Sequence, residues 1–414
     1  VTIGEARDIT LVRQMLQAHA YWRNHGLMAD LVILNEEAGG YEQPLRERLE
    51  RLIQTHPMHA GIDQPGGVYV RNADLMPEED LTLLRAAASV VLVAARGTVP
   101  QQLGMPAEAP ELPAPMVKKR APREPSPALP FLELPYFNSL GGFTPDGREY
   151  AIYLGPDIHT PAPWVNIVAN PTFGTVLSET GAGFTWYGNS QRNRLTPWSN
   201  DPVTDPPSEA LYIRDEESGV YWTPTPAPVR EKTPYRTRHG AGYTIFEHNS
   251  NGIEQELLVF VPIDEQGGEP IKLQRLRLRN DSSRHRALSV TYYVEWTLGE
   301  NRESSQMHVV TTWDDEAQAL LARNRYHPEY GDRVAFAAIS PPAESYNGDR
   351  TSFLGRNRSM GNPAAMERIR LARRTGAGLD PCAALQVRVE LAPGERAEIT
   401  CMMGQAGSVE EVHK

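Results

Sequence analysis

The stretch from Tyr150 to Tyr187, YAIYLGPDIHTPAPWVNIVANPTFGTVLSETGAGFTWY, constrains the fold more than any other part of the chain. Short apolar runs alternate in it with Gly, Pro and Asn. Ala151-Ile152-Tyr153-Leu154, Val165-Asn166-Ile167-Val168 and Gly174-Thr175-Val176-Leu177-Ser178 each read as a strand of about 4–6 residues between turn signals. Gly181-Ala182-Gly183 then opens an aromatic strand, Phe184-Thr185-Trp186-Tyr187. None of this has helical period, so the stretch predicts the first sheet of a large all-β domain.

The pattern continues to the end of the chain. Strands are predicted at 242–247, 253–261, 271–279, 287–298, 307–313, 320–324, 334–339, 384–391 and 397–402, with one short helix at 363–370. Asn251-Gly252 between apolar runs signals a hairpin. The run from Ile271 to Leu278 alternates, which predicts one buried face and one wet, basic face. So many antiparallel strands imply two large packed sheets.

Residues 1–104 have another rhythm. Leu11, Val12, Met15, Leu16, His19 and Trp22 recur at helical spacing over 8–25, and Leu45, Leu49, Leu52 and Ile53 do so over 43–56. A third helix is predicted over 77–88, and strands at 31–34, 67–70 and 89–94. Such alternation predicts a small α/β segment with parallel strands. Glu37-Ala38-Gly39-Gly40 follows a strand and precedes a helix, but it matches neither common phosphate-binding pattern and reads as a structural turn. Residues 105–130 carry eight prolines around Lys118-Lys119-Arg120 and read as a semi-extended, solvated linker. The fold class is therefore mainly β, a large antiparallel sandwich over 131–414, preceded by an α/β segment (1–104) and a Pro-rich linker (105–130).

A chain of 414 residues exceeds one core, and a formal charge of -11 disfavours nucleic acid or an anionic membrane as partner. No run approaches about 18 apolar residues, so no membrane span is expected. Cys382 and Cys401 sit in strand-like surroundings and read as buried free thiols. Val1 at one end and SVEEVHK at the other, which looks like a helix start, suggest a piece of a longer polypeptide.

HTPAPWVNIVAN (159–170) is similar to the opening strands of the cellobiose and chitobiose phosphorylase family of inverting glycoside phosphorylases. TGAGFTWYGNSQRNRLTPWSND (180–201), VYWTPTPAPV (220–229), RHGAGYTIF (238–246) and DRTSFLGRNRS (349–359) follow in the family's order. NSLGGFTPDGREY (138–150) and HAYWRNHGLMADLVILNE (19–36) most resemble the C-terminal part of cyclic β-1,2-glucan synthases. The resemblance implies a galactose-mutarotase-like β-super-sandwich, followed in relatives by an α/α toroid that holds the catalytic carboxylate. It also implies a parent on the cytoplasmic side of the bacterial inner membrane.

Inverting glycoside chemistry needs an acid on the leaving oxygen and a nucleophile on the opposite face. In phosphorylases, inorganic phosphate is that nucleophile and a co-substrate. Asp314-Asp315-Glu316 reads as a solvated hairpin tip. Glu295, in YYVEWTL, is either a sugar contact or a paired structural carboxylate. His159, His239 and His327 lack metal-ligand spacing, and no cofactor or metal is expected. Trp198 sits in a loop with Arg194 and Asn200, and is the best candidate for stacking on a sugar ring. In the phosphorylases, the loop corresponding to Gly299–Gln306 carries an acceptor-contacting Arg. Here the loop is shorter and Arg302 is the substitute. The substrate-binding candidates are Trp198, Arg194, Asn200, Glu295 and Arg302, with no catalytic residue among them.

The expected function is a non-catalytic, carbohydrate-binding sandwich within a glycosyltransferase. Its partners would be β-glucan oligosaccharide and the toroid, whose docking face would be left apolar, so a homodimer is also admitted. An autonomous glucan-binding module is the alternative. An independent hydrolase would lack its acid and nucleophile.

Overall fold

The computed structural model describes residues 1–37, 44–55, 61–103, 111–119, 124–263, 265 and 267–414. The chain divides into two compact units, Val1–Pro110 and Glu111–Lys414.

The first unit is a three-stranded parallel sheet in the order β1 (Thr2–Ile3), β2 (Leu31–Asn35), β3 (Val68–Asn72). Helices α1 (Ile9–Asn24) and α2 (Pro44–Gln54) bury their apolar stripes with it: Val12, Leu16, Leu45 and Leu49 share a core with Ile33 and Val68. A third helix, α3 (Glu78–Ala87), starts after Pro77, with three acids in its first turn to offset the partial positive charge there. The strand expected at 89–94 does not form. Val93 makes a single bridge to Thr2, because β1 offers only two residues, and Leu92 and Ala94 go into the core instead. Ala38, Gly39 and Gly40 of the predicted turn lie outside the described residues, as do Gln43 and His56.

In the second unit the strands run β4 (Gly141–Phe143), β5 (Glu149–Leu154), β6 (Val165–Ala169), β7 (Phe173–Ser178), β8 (Gly183–Tyr187) and β9 (Glu209–Asp215). Next come β10 (Tyr221–Trp222), β11 (Tyr235–Gly240), β12 (Tyr243–Ser250), β13 (Ile253–Phe260), β14 (Ile271–Asn280) and β15 (Arg286–Glu295). The last are β16 (Val309–Asp314), β17 (Ala319–Asn324), β18 (Val334–Ser340), β19 (Ser345–Asp349), β20 (Pro381–Leu391) and β21 (Arg396–Ala406). They build a ten-stranded sheet ordered β16-β17-β18-β21-β14-β13-β12-β11-β5-β4, a five-stranded sheet ordered β10-β9-β15-β20-β19, and a small sheet β6-β7-β8. All pairings in this unit are antiparallel. This is the expected mainly-β sandwich. One expectation changes: β5 belongs to the large sheet, while β6 to β8 form their own. The helix expected at 363–370 is a single 3-10 turn, Ala364–Glu367.

Trp222, Trp296, Tyr292, Phe246 and Leu276 lie in one continuous core fed by all three sheets. Asn251 and Gly252 both adopt positive φ (52° and 73°), the geometry of a two-residue hairpin turn, and they set the Ser250–Ile253 register. Gly183 admits no side chain, since a Cβ there would lie 1.9 Å from the Val176 carbonyl oxygen.

Strand β14 departs from its predicted faces. The apolar phase slips at Arg275, so Leu276 and Leu278 face the core together with Lys272 and Gln274. Lys272 was expected on the wet, basic face and is instead 1% exposed. Its Nζ is ion-paired with Glu209 of β9 and donates to Thr185 Oγ1 of β8 at 2.7 Å. Thr185 and Thr196 also donate to Glu209 Oε1, at 2.8 and 3.2 Å. Burial lowers the Lys272 pKa, and Glu209 opposes that. Replacing only Lys272 would strand a buried carboxylate. We predict that Lys272→Met costs roughly 3–5 kcal/mol in chemical denaturation, and that adding Glu209→Gln recovers part of it. A loss below about 1 kcal/mol would refute the assignment.

Residues 111–119 and 124–130 are not a solvated linker. Met116 donates to the Glu367 carbonyl at 2.8 Å, Ile369 donates to that of Ala114 at 3.1 Å, and Lys119 donates to that of Glu217 at 2.9 Å. Further on, Glu124 pairs with Arg284, Ser126 accepts from the Gly252 amide, and the Pro130 carbonyl accepts from Arg236 at 2.7 Å. Proline suits such a strap because it lies extended and needs no donor of its own. Residues 104–110, Arg120 and Pro122 lie outside the described residues. A sandwich cut at Phe131 should therefore unfold more easily than one cut at Glu111, by roughly 2–5 kcal/mol for the lost bonds. Equal melting curves for the two would argue against the strap.

His248 is fully buried, stacked on Tyr235 with ring centroids 3.7 Å apart. Burial pushes its pKa down to about 4. The unfolded chain then binds a proton near pH 6.5 that the folded chain refuses until about 4, so stability falls as pH drops through that window. At pH 4.5 this should cost about 2–3 kcal/mol relative to pH 7. A His248→Phe variant should lack that part of the acid loss, as followed by denaturation at both pH values.

Candidate functional site

The candidates fall into two neighbouring groups at one end of β15. In the first, Trp198 is 43% exposed and stacks on Phe184 of β8, with centroids 5.2 Å apart and planes 26° from parallel. Trp186 continues the aromatic row, 5.4 Å from Phe184. The Arg194 guanidinium lies 5.5 Å from both the Phe184 and Trp198 ring centres, within cation–π range. Asn200 is exposed beyond them.

Loop-to-loop bonds fix this shelf. The Arg194 and Gly299 backbones exchange two hydrogen bonds, at 3.0 and 3.2 Å. Arg194 Nη1 donates to the Glu300 carbonyl at 2.9 Å, and its Nε donates to that of Ser190 at 3.0 Å. The Thr297 amide donates to the Leu195 carbonyl at 2.8 Å. The two loops singled out in the sequence, 194–200 and 299–306, are thus stitched together.

The second group surrounds Glu295, which is 7% exposed. Its Oε1 accepts from Tyr293 Oη at 3.0 Å and from Arg350 Nε at 2.6 Å. Arg350 also pairs with Asp380 at 3.3 Å, and Asp380 in turn is ion-paired with Arg302. Arg302 sits on α4 (Arg302–Ser305), a single turn capped by Asn301. Burial lowers the Arg302 pKa, as does the positive charge of Arg350, while Glu295 opposes them. Glu295 and Arg302 are therefore members of one charge network, buried at Glu295 and partly exposed at Arg350 and Asp380. That arrangement fixes loop positions; it does not present a free acid.

Phe184, Arg350 and Asp380 were not singled out in the sequence. Phe184 reads there only as a strand residue, and the Arg350–Glu295 pairing spans 55 positions, which local patterns do not encode. The acidic cluster is a hairpin tip: Asp314 Oδ1 accepts from the Glu316 and Ala317 amides, and Trp313 Nε1 donates to Asp315 at 2.8 Å. His239 bonds Thr244 and the Trp164 carbonyl, and His327 bonds the Arg192 carbonyl, so both hold structure. Cys382 and Cys401 are buried free thiols.

The sandwich, its strand order and this charged end can be set beside known proteins. Residues 148–414 match the model of the glycosyl hydrolase 94 supersandwich domain. The chain belongs to the glycosyl hydrolase 94 supersandwich family. It is 34% identical, over 99% of its own length, to the cyclic beta-(1,2)-glucan synthase NdvB of Rhizobium meliloti (strain 1021). It is 29% identical, over 64% of its length, to the N,N'-diacetylchitobiose phosphorylase of Vibrio proteolyticus. The 3-O-beta-D-glucopyranosyl-beta-D-glucuronide phosphorylase of Paenibacillus borealis is 28% identical over 66%. The chain spans 15% of the synthase and about a third of each phosphorylase, so its relatives are larger proteins with further domains. Among the described residues, no helix is long and apolar enough to cross a membrane.

The shelf gives a direct prediction. Trp198→Ala should lower stability by about 1 kcal/mol or less in thermal denaturation, since a half-exposed aromatic contributes mainly one stacking contact. A collapse of the melting temperature would place Trp198 among core residues instead.

Proposed function

We propose that this chain is the sandwich portion, with its preceding α/β unit, of a phosphorylase-like region in a cyclic β-1,2-glucan synthase. The observation that carries this reading is the extent of the synthase match. It runs through both units, whereas the phosphorylase matches cover about two thirds of the chain. In this role the sandwich buttresses an α/α toroid and shapes its substrate entrance. The toroid supplies the catalytic carboxylate, inorganic phosphate is the co-substrate, and phosphorolysis controls glucan chain length. The whole enzyme then works at the cytoplasmic side of a bacterial inner membrane.

The chemistry of the candidate residues supports an accessory role. The buried candidate acid, Glu295, is held by Arg350 and Tyr293. A proton donor to a glycosidic oxygen needs a free carboxyl aimed at its substrate. Val165 and Ile167 stand 53% and 64% exposed on strand β6, an apolar surface of the kind a docked domain covers. The exposed Trp198 also favours the second reading, an autonomous glucan-binding module.

The purified chain incubated with β-1,2-glucan and phosphate should release no glucose 1-phosphate. Supplying the toroid, covalently or in trans, should restore the parent's activity. Turnover by the chain alone that disappears in Glu295→Gln would sink the accessory reading.

A further inference from the structure

A cavity of about 260 Å³ on the sandwich is walled by the segments around residues 159–163, 179–180, 202–205 and 226–230, with Trp198, Arg194 and Phe184 not among its lining residues. That is near the lower end of small-molecule sites. Three charged side chains converge there. Glu179 is 1% exposed, and its two oxygens accept from Thr160 Oγ1 and from the Trp164 amide. Asp205 takes both of its described side-chain donors, Ser178 Oγ and Thr180 Oγ1, on Oδ2 at 2.6 Å. No described donor reaches its Oδ1. Arg230 Nη2 donates to the Gly155 and Ile158 carbonyls at 2.9 and 2.7 Å, while its Nε is buried without a partner. Pro163, Pro202, Pro226 and Pro228 supply rigid apolar walls.

The chemistry selects the occupant. Two carboxylates repel phosphate and other anions. The open Asp205 Oδ1 can accept from a hydroxyl, and the proline rings offer an apolar wall to the C–H face of a pyranose. We propose that this cleft is a binding site for one uncharged pyranose ring, and, resting on the reading above, for a residue of the glucan. It is a preformed site whose lining includes none of Trp198, Arg194 and Phe184.

The test is calorimetric titration of the 414-residue chain with sophorose, the β-1,2-linked glucose disaccharide, and separately with maltose. Val203 stands 89% exposed at the rim, so Val203→Trp should block the cleft without changing the melting temperature. Asp205→Asn removes an acceptor's charge. Both should weaken sophorose binding about tenfold or more, while Trp198→Ala retains it at this site. Sophorose binding that is unchanged in both cleft variants but lost in Trp198→Ala would overturn the cleft and leave the glucan reading standing. Maltose binding that is blocked by Val203→Trp, with no response to sophorose, would uphold the pyranose site and overturn its glucan assignment. No binding of either sugar would overturn the cleft.

Discussion

Three sheets meet at one buried ion pair. Lys272 comes from the ten-stranded sheet, Glu209 from the five-stranded sheet and Thr185 from the small sheet. A lysine in an apolar core is tolerable only when its charge is matched and its donors are used. The requirement is therefore geometric. β8, β9 and β14 must sit in one relative arrangement, or a charge is left alone in low dielectric. Apolar contacts would permit sliding between sheets, and this pair does not. Tyr292 and Gln274 extend the polar cluster, and the apolar core closes around it.

Everything proposed for function hangs on elements that this junction positions. β8 carries Phe184, on which Trp198 stacks, and Trp186 beside it. β15, paired with β9 over seven residues, ends at Glu295 and leads into the loop that holds Arg194. The turn between β7 and β8 carries Glu179 into the proline-walled cleft. These loops are thus tied to a rigid scaffold through both backbone bonds and arginine side chains.

The Pro-rich strap shows a related economy. An extended segment can be fixed to the sandwich without forming a strand by giving and accepting single hydrogen bonds along its length. Its prolines mark it in sequence as irregular. Its partners, among them Arg236, Gly252 and Glu367, lie more than a hundred positions away and leave no local mark.

Local pattern determined much of this protein. Alternation and turn residues located most strands, the Asn251-Gly252 hairpin, α1 to α3 and the sandwich class, because side-chain period and positive-φ turns are properties of neighbouring residues. The motif resemblance identified the family, and the loop chemistry picked out Trp198 with Arg194. The tertiary structure alone decided which face of β14 is buried, since the apolar phase slips at Arg275 and only Glu209, 63 positions away, makes an inward Lys272 acceptable. It also decided that 89–94 is no strand, that Glu295 is occupied by Arg350, and that Glu179, Asp205 and Arg230 converge. Each of these depends on a partner distant in sequence, and pairing energies between distant residues are not written in the period of either one.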